Sequence, residues 1–303
     1  DEVYAAVPAL GAGALGGLAV PGESIICPWT TTLAFATEAL SRGARLVRDT
    51  RVVDGRPGPV DTEVVTTAGR IRTTWVVNAA GLGGDELDRM LGHDRFTVVP
   101  RRGELLVFDK LARPLVDVIV LPVPTAKGKG VLVSPTVFGN VMLGPTAEEV
   151  PDRGDTSTSD AGFAFLLGHG RRLLPALLDV DVTAAYAGLR AATEHADYVV
   201  DVDAGQRYVL LGGIRSTGLT ASMALAEHTV GLLREAGADL RPRPVLPPPA
   251  RMPNIGEAFV RPYQDAERIA QDPAYGRIVC FCERVTRGEI GRASCRERVS
   301  NCV

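Results

Sequence analysis

The chain has 303 residues, 46% of them hydrophobic, and a formal charge of −3 at neutral pH. That balance suits a globular protein of one large domain or two smaller ones, and it leaves no basic stripe for nucleic acid to follow. No apolar run approaches the roughly 20 residues a bilayer crossing needs and no charged-then-apolar leader opens the chain, so no membrane span and a cytoplasmic location are expected. Five cysteines, an odd number crowded toward one end, argue against a disulfide framework.

Asp1-Glu2-Val3-Tyr4 opens without Met and nothing ahead of Ala9 reads as a domain start, so the chain is expected to begin inside a longer protein. Residues 11–17 spell Gly-Ala-Gly-Ala-Leu-Gly-Gly, superficially a dinucleotide loop. No strand precedes it and Pro21-Gly22 follows where a helix should run, which rejects it as a phosphate loop. Pro28 and residues 30–42 read as a helix ended by Gly43. Residues 44–53 read as a strand and 54–59 as a turn. Residues 60–67, a turn at Ala68-Gly69-Arg70, and residues 71–77 read as a hairpin ending on Asn78-Ala79-Ala80-Gly81. Small residues there either let a cofactor pass close to the backbone or form a simple tight turn.

From Thr97 onward short strands are predicted at 98–108, 116–120, 130–134 and 140–143, separated by Pro122-Val123-Pro124 and Phe138-Gly139-Asn140. They suggest an antiparallel sheet presenting one face to a ligand. A polar stretch at 152–160 leads into a helix at 161–174, and 182–190 and 198–202 return to strand. Tyr208-Val209-Leu210-Leu211 then reads as a strand, Gly212-Gly213 as a turn, and 221–234 as an amphipathic helix. Such a turn makes an anion and dipole site. Paired glycines admit a close approach, Ser216, Thr217 and Thr220 stand where they can cap the helix, and its free N–H groups aim at a flavin ring or a phosphate. Beyond it, 241–254 is a stiff proline-rich linker and a domain boundary.

Arg190, at the end of its predicted strand, either clamps a carboxylate or phosphate bidentately or pairs with Glu194 at the surface. Lys127 and Lys129, in a glycine-spaced loop, are similar candidates. Cys280-Phe281-Cys282, followed by Thr286 as a helix N-cap with Glu289 three residues on, is half of a metal or cluster site, or else two incidental thiols on a strand. The four histidines form no spaced ligand cluster, and Cys27, in an apolar run, reads as buried.

Seven pieces in order complete the reading: Leu18-Ala19-Val20-Pro21-Gly22-Glu23, Val76-Val77-Asn78-Ala79-Ala80-Gly81, Pro100-Arg101-Arg102-Gly103-Glu104, Lys129-Gly130-Val131-Leu132-Val133-Ser134-Pro135-Thr136, Gly144-Pro145-Thr146, Gly188-Leu189-Arg190 and Gly213-Ile214-Arg215-Ser216-Thr217-Gly218-Leu219-Thr220. Their order resembles the D-amino acid oxidase and glycine oxidase type of FAD-dependent oxidoreductase. Within it, the nearest branch holds anaerobic glycerol-3-phosphate dehydrogenases and L-2-hydroxyglutarate dehydrogenases. The resemblance implies an α/β (α+β) fold over residues 1–240, a Rossmann-like FAD part at about 21–85 and 205–240 interleaved with an antiparallel substrate part at about 95–204. The N-terminal dinucleotide loop of the family is missing from it.

By the same resemblance, Val53 approaches the adenine of FAD, and Ala79, Ala80 and Gly81 the diphosphate. Gly213, Ile214, Ser216, Thr217, Gly218, Leu219 and Thr220 would approach the ribityl chain and the pyrimidine edge. Arg190, with Lys129, would hold a small anionic substrate. The implied reaction is hydride transfer to flavin from glycerol 3-phosphate or a 2-hydroxy acid, with electrons leaving through the cluster domain or a partner subunit to a quinone, and the protein peripheral to the inner membrane through such a partner. Relatives oxidise amines and amino acids by the same chemistry, and a rival from another class is a non-catalytic iron–sulfur electron-transfer subunit. Residues 255–290, with Cys280 and Cys282, resemble the start of a bacterioferritin-associated-ferredoxin-like domain, whose [2Fe-2S] cluster would belong to the complete protein. Residues 289–299 resemble the translation of a sequencing adaptor, so 291–303 are expected to be a non-native tail and Cys295 and Cys302 no ligands.

Overall fold

A computed structural model describes residues 2–124, 130–241, 245, 248, 260–280 and 284–296. After a single turn, α1 (Glu2–Ala6), the chain passes close to a later helix. The Gly11 N–H donates to Leu173 O at 2.8 Å, and a Cβ at Gly11 would stand 1.8 Å from Arg172 O. The first glycine of the 11–17 stretch thus answers to packing. Helix α2 (Pro28–Ser41) begins on buried Cys27, whose sulfur accepts the Thr30 N–H at 3.4 Å, and stops ahead of Gly43 at φ +94°.

Strand β1 (Val52–Pro57) lies across the segment predicted to turn, whereas residues 44–49 are irregular. Pairing decided this against local propensity. β1 is the edge of an antiparallel sheet with β2 (Thr62–Thr66) and β3 (Gly69–Thr73), where Pro57 costs no ladder bond. Gly55 lies under Leu91, which a Cβ would approach to 2.6 Å. The predicted strand at 71–77 also divides. β3 ends at Thr73, whose hydroxyl donates to Trp75 O at 2.9 Å, and β4 (Val76–Asn78) joins a different sheet. There it runs parallel to β11 (Tyr208–Gly212), which pairs on its other side with antiparallel β10 (Val199–Asp203). β10, expected in the substrate part, therefore lies beside β11. Helix α3 (Gly84–Met90) follows β4.

The third sheet is built on β5 (Val98–Phe108), flanked by β9 (Val182–Thr193) over its whole length. On the other side lie β7 (Val141–Gly144), with β6 (Leu132–Pro135) beyond it, and the two residues of β8 (Glu148–Glu149). The strand predicted at 116–120 shrinks to one bridge, Val120 to Val133, after a 3-10 turn at Lys110–Leu115. Val116 is buried in the core instead. Helix α4 (Asp160–Leu173), N-capped by Ser159, covers one face of this sheet, and Leu166 joins Leu106, Phe108, Val133 and Leu143 in the larger core. A smaller core of Leu91, Phe96, Val98, Tyr208 and Leu210 joins the two sheets.

Helix α5 (Gly218–Glu235) follows β11. Most of the proline-rich linker lies outside the described residues. Beyond it come α6 (Ala266–Gln271), a β12 (Ile278–Cys280) and β13 (Val285–Thr286) pair, and α7 (Arg287–Arg296). The capping box read at its start is present: the Thr286 N–H donates to Glu289 Oε2 at 2.8 Å, and the Glu289 N–H to Thr286 Oγ1 at 3.3 Å. Among the described residues no helix is long and apolar enough to cross a membrane.

Candidate functional site

Along β5 the even-numbered residues from Val98 to Phe108 face the core, so Arg101, Gly103, Leu105 and Val107 face away from it. Register then assembles the open face. Arg190 stands opposite Arg101, Gly188 opposite Gly103 and Tyr186 opposite Leu105, each pair on one side of the sheet, and Met142 of β7 is opposite Val107. The result is a pair of arginines, a floor of glycine, and an aromatic end where the Tyr186 hydroxyl donates to Met142 Sδ at 3.4 Å.

Arg190 lies three residues before the end of β9, within the strand and not at its end. Its guanidinium rests on Gly103, where a Cβ would lie 2.4 Å from Nη2 and 2.8 Å from Cζ. Nη1 donates to Thr146 O at 3.3 Å. Glu194, the surface partner considered for it, spends its carboxylate on the Thr97 N–H at 3.1 and 3.0 Å. Among the described residues Arg190 forms no ion pair. Burial, and then the neighbouring charge of Arg101, push its pKa down, yet a guanidinium stays protonated at neutral pH. A half-buried cation without a counter-ion is a ready site for an anion. Lys127 and Lys129 lie outside the described residues.

The second part of the site is where β4 and β11 end side by side. Gly81 and Gly213 leave the strands at φ +56° and +65°, conformations that favour glycine. Of the three hydroxyls considered as caps for α5, Thr217 holds the N-cap position and Thr220 lies inside the first turn. Thr217 makes no capping bond, because its hydroxyl meets the Tyr198 hydroxyl instead. Among the described residues the leading N–H groups of α5, around Gly218 and Leu219, therefore have no capping side chain, and the positive end of the helix stands beside Gly213 and Ile214. This cradle fits the electron-rich edge of a flavin.

A cleft of about 470 Å³ lies between β1 and the start of α3, lined by Val52, Ala80, Gly83, Glu86, Met90 and Arg153 among others. Ala80 and Val52 line this cleft, whereas Val53 is exposed. Two buried groups that sequence reasoning missed hold this corner. Asn78 donates to Gly84 O and to the Tyr208 hydroxyl, both at 2.8 Å, and accepts the Ala80 N–H at 3.1 Å. Asp85 takes a bidentate pair from Arg153, both contacts 2.7 Å, and the Val98 N–H at 3.1 Å. Burial alone would raise its pKa, but these donors, with Arg89, bring it to about 2. The available signal was an acid in the first turn after a glycine turn, which reads equally as an ordinary helix start. Cys280 is partly buried on β12, and Cys282 lies outside the described residues.

Residues 1–232 match the family model described as FAD dependent oxidoreductase. The chain is similar to the glycerol 3-phosphate dehydrogenase of Caloramator mitchellensis, 32% identical over 281 residues that cover 91% of this chain and 57% of that protein. It is also similar to the glycerol 3-phosphate oxidase of Mycoplasma genitalium, 28% identical over 75% of this chain and 61% of that one. Among solved structures, the dithionite-reduced L-alpha-glycerophosphate oxidase of Mycoplasma pneumoniae with FAD bound superimposes with a TM-score of 0.60 at 28% identity, covering 66% of this chain and 54% of that one. The chain spans about three fifths of the length of the curated relatives.

Proposed function

This chain belongs to the FAD dependent oxidoreductase family, and from that premise we propose that it forms the substrate face and the flavin edge of a dehydrogenase that oxidises a small anionic alcohol, glycerol 3-phosphate or a 2-hydroxy acid. One observation carries the reading: Arg190, half-buried and without a counter-ion among the described residues, rests on Gly103 on the open face of a sheet. FAD, when bound, supplies the hydride acceptor. Ala79, Ala80 and Gly81 admit its diphosphate close to the backbone. Gly213, Ile214, Ser216, Thr217, Gly218, Leu219 and Thr220 hold its ribityl chain and ring edge, where the helix start stabilises negative charge. Arg190 fixes the substrate by its anionic group, so that positioning and electrostatics are the protein's share of catalysis. The names of the relatives, which act on glycerol 3-phosphate, support that substrate. A quinone or a partner subunit then takes the electrons.

The test is visible absorption of the full-length gene product purified with FAD. Flavin absorption that is bleached anaerobically by glycerol 3-phosphate or a 2-hydroxy acid, and retained but no longer bleached in Arg190→Ala, is the expected result. Bleaching unaffected by Arg190→Ala would overturn the site. A protein with iron–sulfur absorption alone would be the non-catalytic electron-transfer subunit.

A further inference from the structure

Three charges stand in one row on the open face. Glu149 of β8 is in register with Arg101 of β5, and Arg101 is in register with Arg190 of β9, so all three project from the same side on neighbouring strands about 5 Å apart. Arg101 Nη2 donates to Glu149 Oε1 at 2.8 Å, with the Arg101 side chain 36% exposed and that of Glu149 60% exposed. The other acid of β8 serves the opposite face, where Glu148 meets Arg102 at 2.7 Å. β8 thus supplies one exposed carboxylate to each arginine, and of the two it is Glu149 that stands on the face of the proposed anion site.

An exposed ion pair contributes little and exchanges readily for a better partner. A single guanidinium satisfies a carboxylate, through two parallel N–H···O bonds. A phosphate monoester carries nearly two charges and three oxygens, more than Arg190 alone can match. We propose that Arg101 is a specificity-determining residue, which leaves Glu149 to join Arg190 on a phosphate monoester, so that the site prefers such substrates to monocarboxylates. This rests on the reading of Arg190 as the anion-binding residue.

Isothermal titration of the full-length, FAD-loaded protein with glycerol 3-phosphate and with lactate tests it. Arg101→Ala is expected to weaken glycerol 3-phosphate binding at least about tenfold, the scale of one lost charge-assisted hydrogen bond, and lactate binding less than about twofold. Glu149→Gln removes the competing partner and should tighten glycerol 3-phosphate about two- to fivefold. Arg101→Lys, which keeps the charge, should fall between wild type and Arg101→Ala. The proposal is overturned if Arg101→Ala weakens both ligands alike or neither, if Glu149→Gln weakens the phosphate ester, or if wild type binds no glycerol 3-phosphate. Arg190→Ala separates the two levels. Loss of both ligands upholds the anion site whatever Arg101 does, whereas no effect on either removes the site itself.

Discussion

Gly103→Ala tests what the floor of the site does for Arg190. The new methyl would lie 2.4 Å from Nη2 and 2.8 Å from both Cζ and Nη1. Unbonded heavy atoms settle at about 3.5 Å or more, so the guanidinium must lift from the sheet by about 1 Å. That displacement breaks one charge-assisted hydrogen bond to the ligand, about 1.5–3 kcal/mol, or roughly 10- to 150-fold in kcat/KM. Misplacements of about 1 Å cost a similar factor in general. The strand itself gains, because alanine is favoured over glycine in a strand interior by about 0.5–1 kcal/mol. Steady-state kinetics of the FAD-loaded protein, with thermal melting and flavin content beside them, should show kcat/KM reduced by that factor while flavin content is unchanged and Tm is no lower than wild type. A kcat/KM within about twofold of wild type would refute the seating argument. A collapsed Tm would make Gly103 a packing residue only.

Other substitutions read the corners that hold the site. Asp85 has a pKa of about 2 when folded against about 3.9 unfolded, so its contribution is complete above the unfolded value and lost as pH falls toward 2. Urea melts should show Asp85→Asn less stable than wild type by roughly 2–3 kcal/mol at pH 7, the gap closing by about pH 2; a gap independent of pH would remove the charge from the explanation. Tyr208→Phe removes the hydroxyl that Asn78 Nδ2 and Asp88 Oδ1 meet at 2.8 and 2.9 Å, leaving Asn78 Nδ2 its bond to Gly84 O. It should cost about 1–3 kcal/mol in the same melts, and no loss would mean that the gap admits water. Gly11→Ala, with its Cβ 1.8 Å from Arg172 O, should lower Tm, whereas Gly16→Ala, which meets nothing within 4 Å, should not.

What was legible in the chain is local. The eleven residues of β5 alternate inward and outward along their length and were read with both ends correct. The turn at Gly212-Gly213 between an apolar run and an amphipathic helix was also plain, as was the Thr286 and Glu289 cap. Pairing was hidden. Asp54-Gly55-Arg56-Pro57 has the composition of a turn and becomes strand because β2 lies beside it. Val76 and Val77 continue an apolar run but leave the hairpin for β11, a choice that Tyr208 and Val209, far along the chain, decide. Val199–Asp203 announces a strand, and nothing in those five residues says which sheet takes it.

The two adjacent arginines show why the site needed the structure. A strand sends neighbours to opposite faces, and only the position of α4 says which face is the core. Arg102 goes inward, where Asp155 and Ser157 meet it at 2.8 and 3.0 Å. Beside it Glu104 accepts from the Ser159 hydroxyl at 2.9 Å, and Gly162 leaves room for the other oxygen, to which a Cβ would come within 1.6 Å. A slip of β5 by one residue would exchange Arg101 with Arg102 and bury Gly103 in place of Glu104. The buried acids and hydroxyls would then lose their partners, and unpaired buried charge is among the costliest errors a fold can make. Among the described residues Arg102 Nε and Glu104 Oε2 already lack hydrogen-bond partners in the native register, so the cluster contributes less to stability than its contacts suggest. Its stronger effect is on register. By holding Arg102 and Glu104 inward, it keeps Arg101 and Gly103 on the open face, where Arg190 needs a glycine beneath it and, for a doubly charged ligand, a second guanidinium beside it.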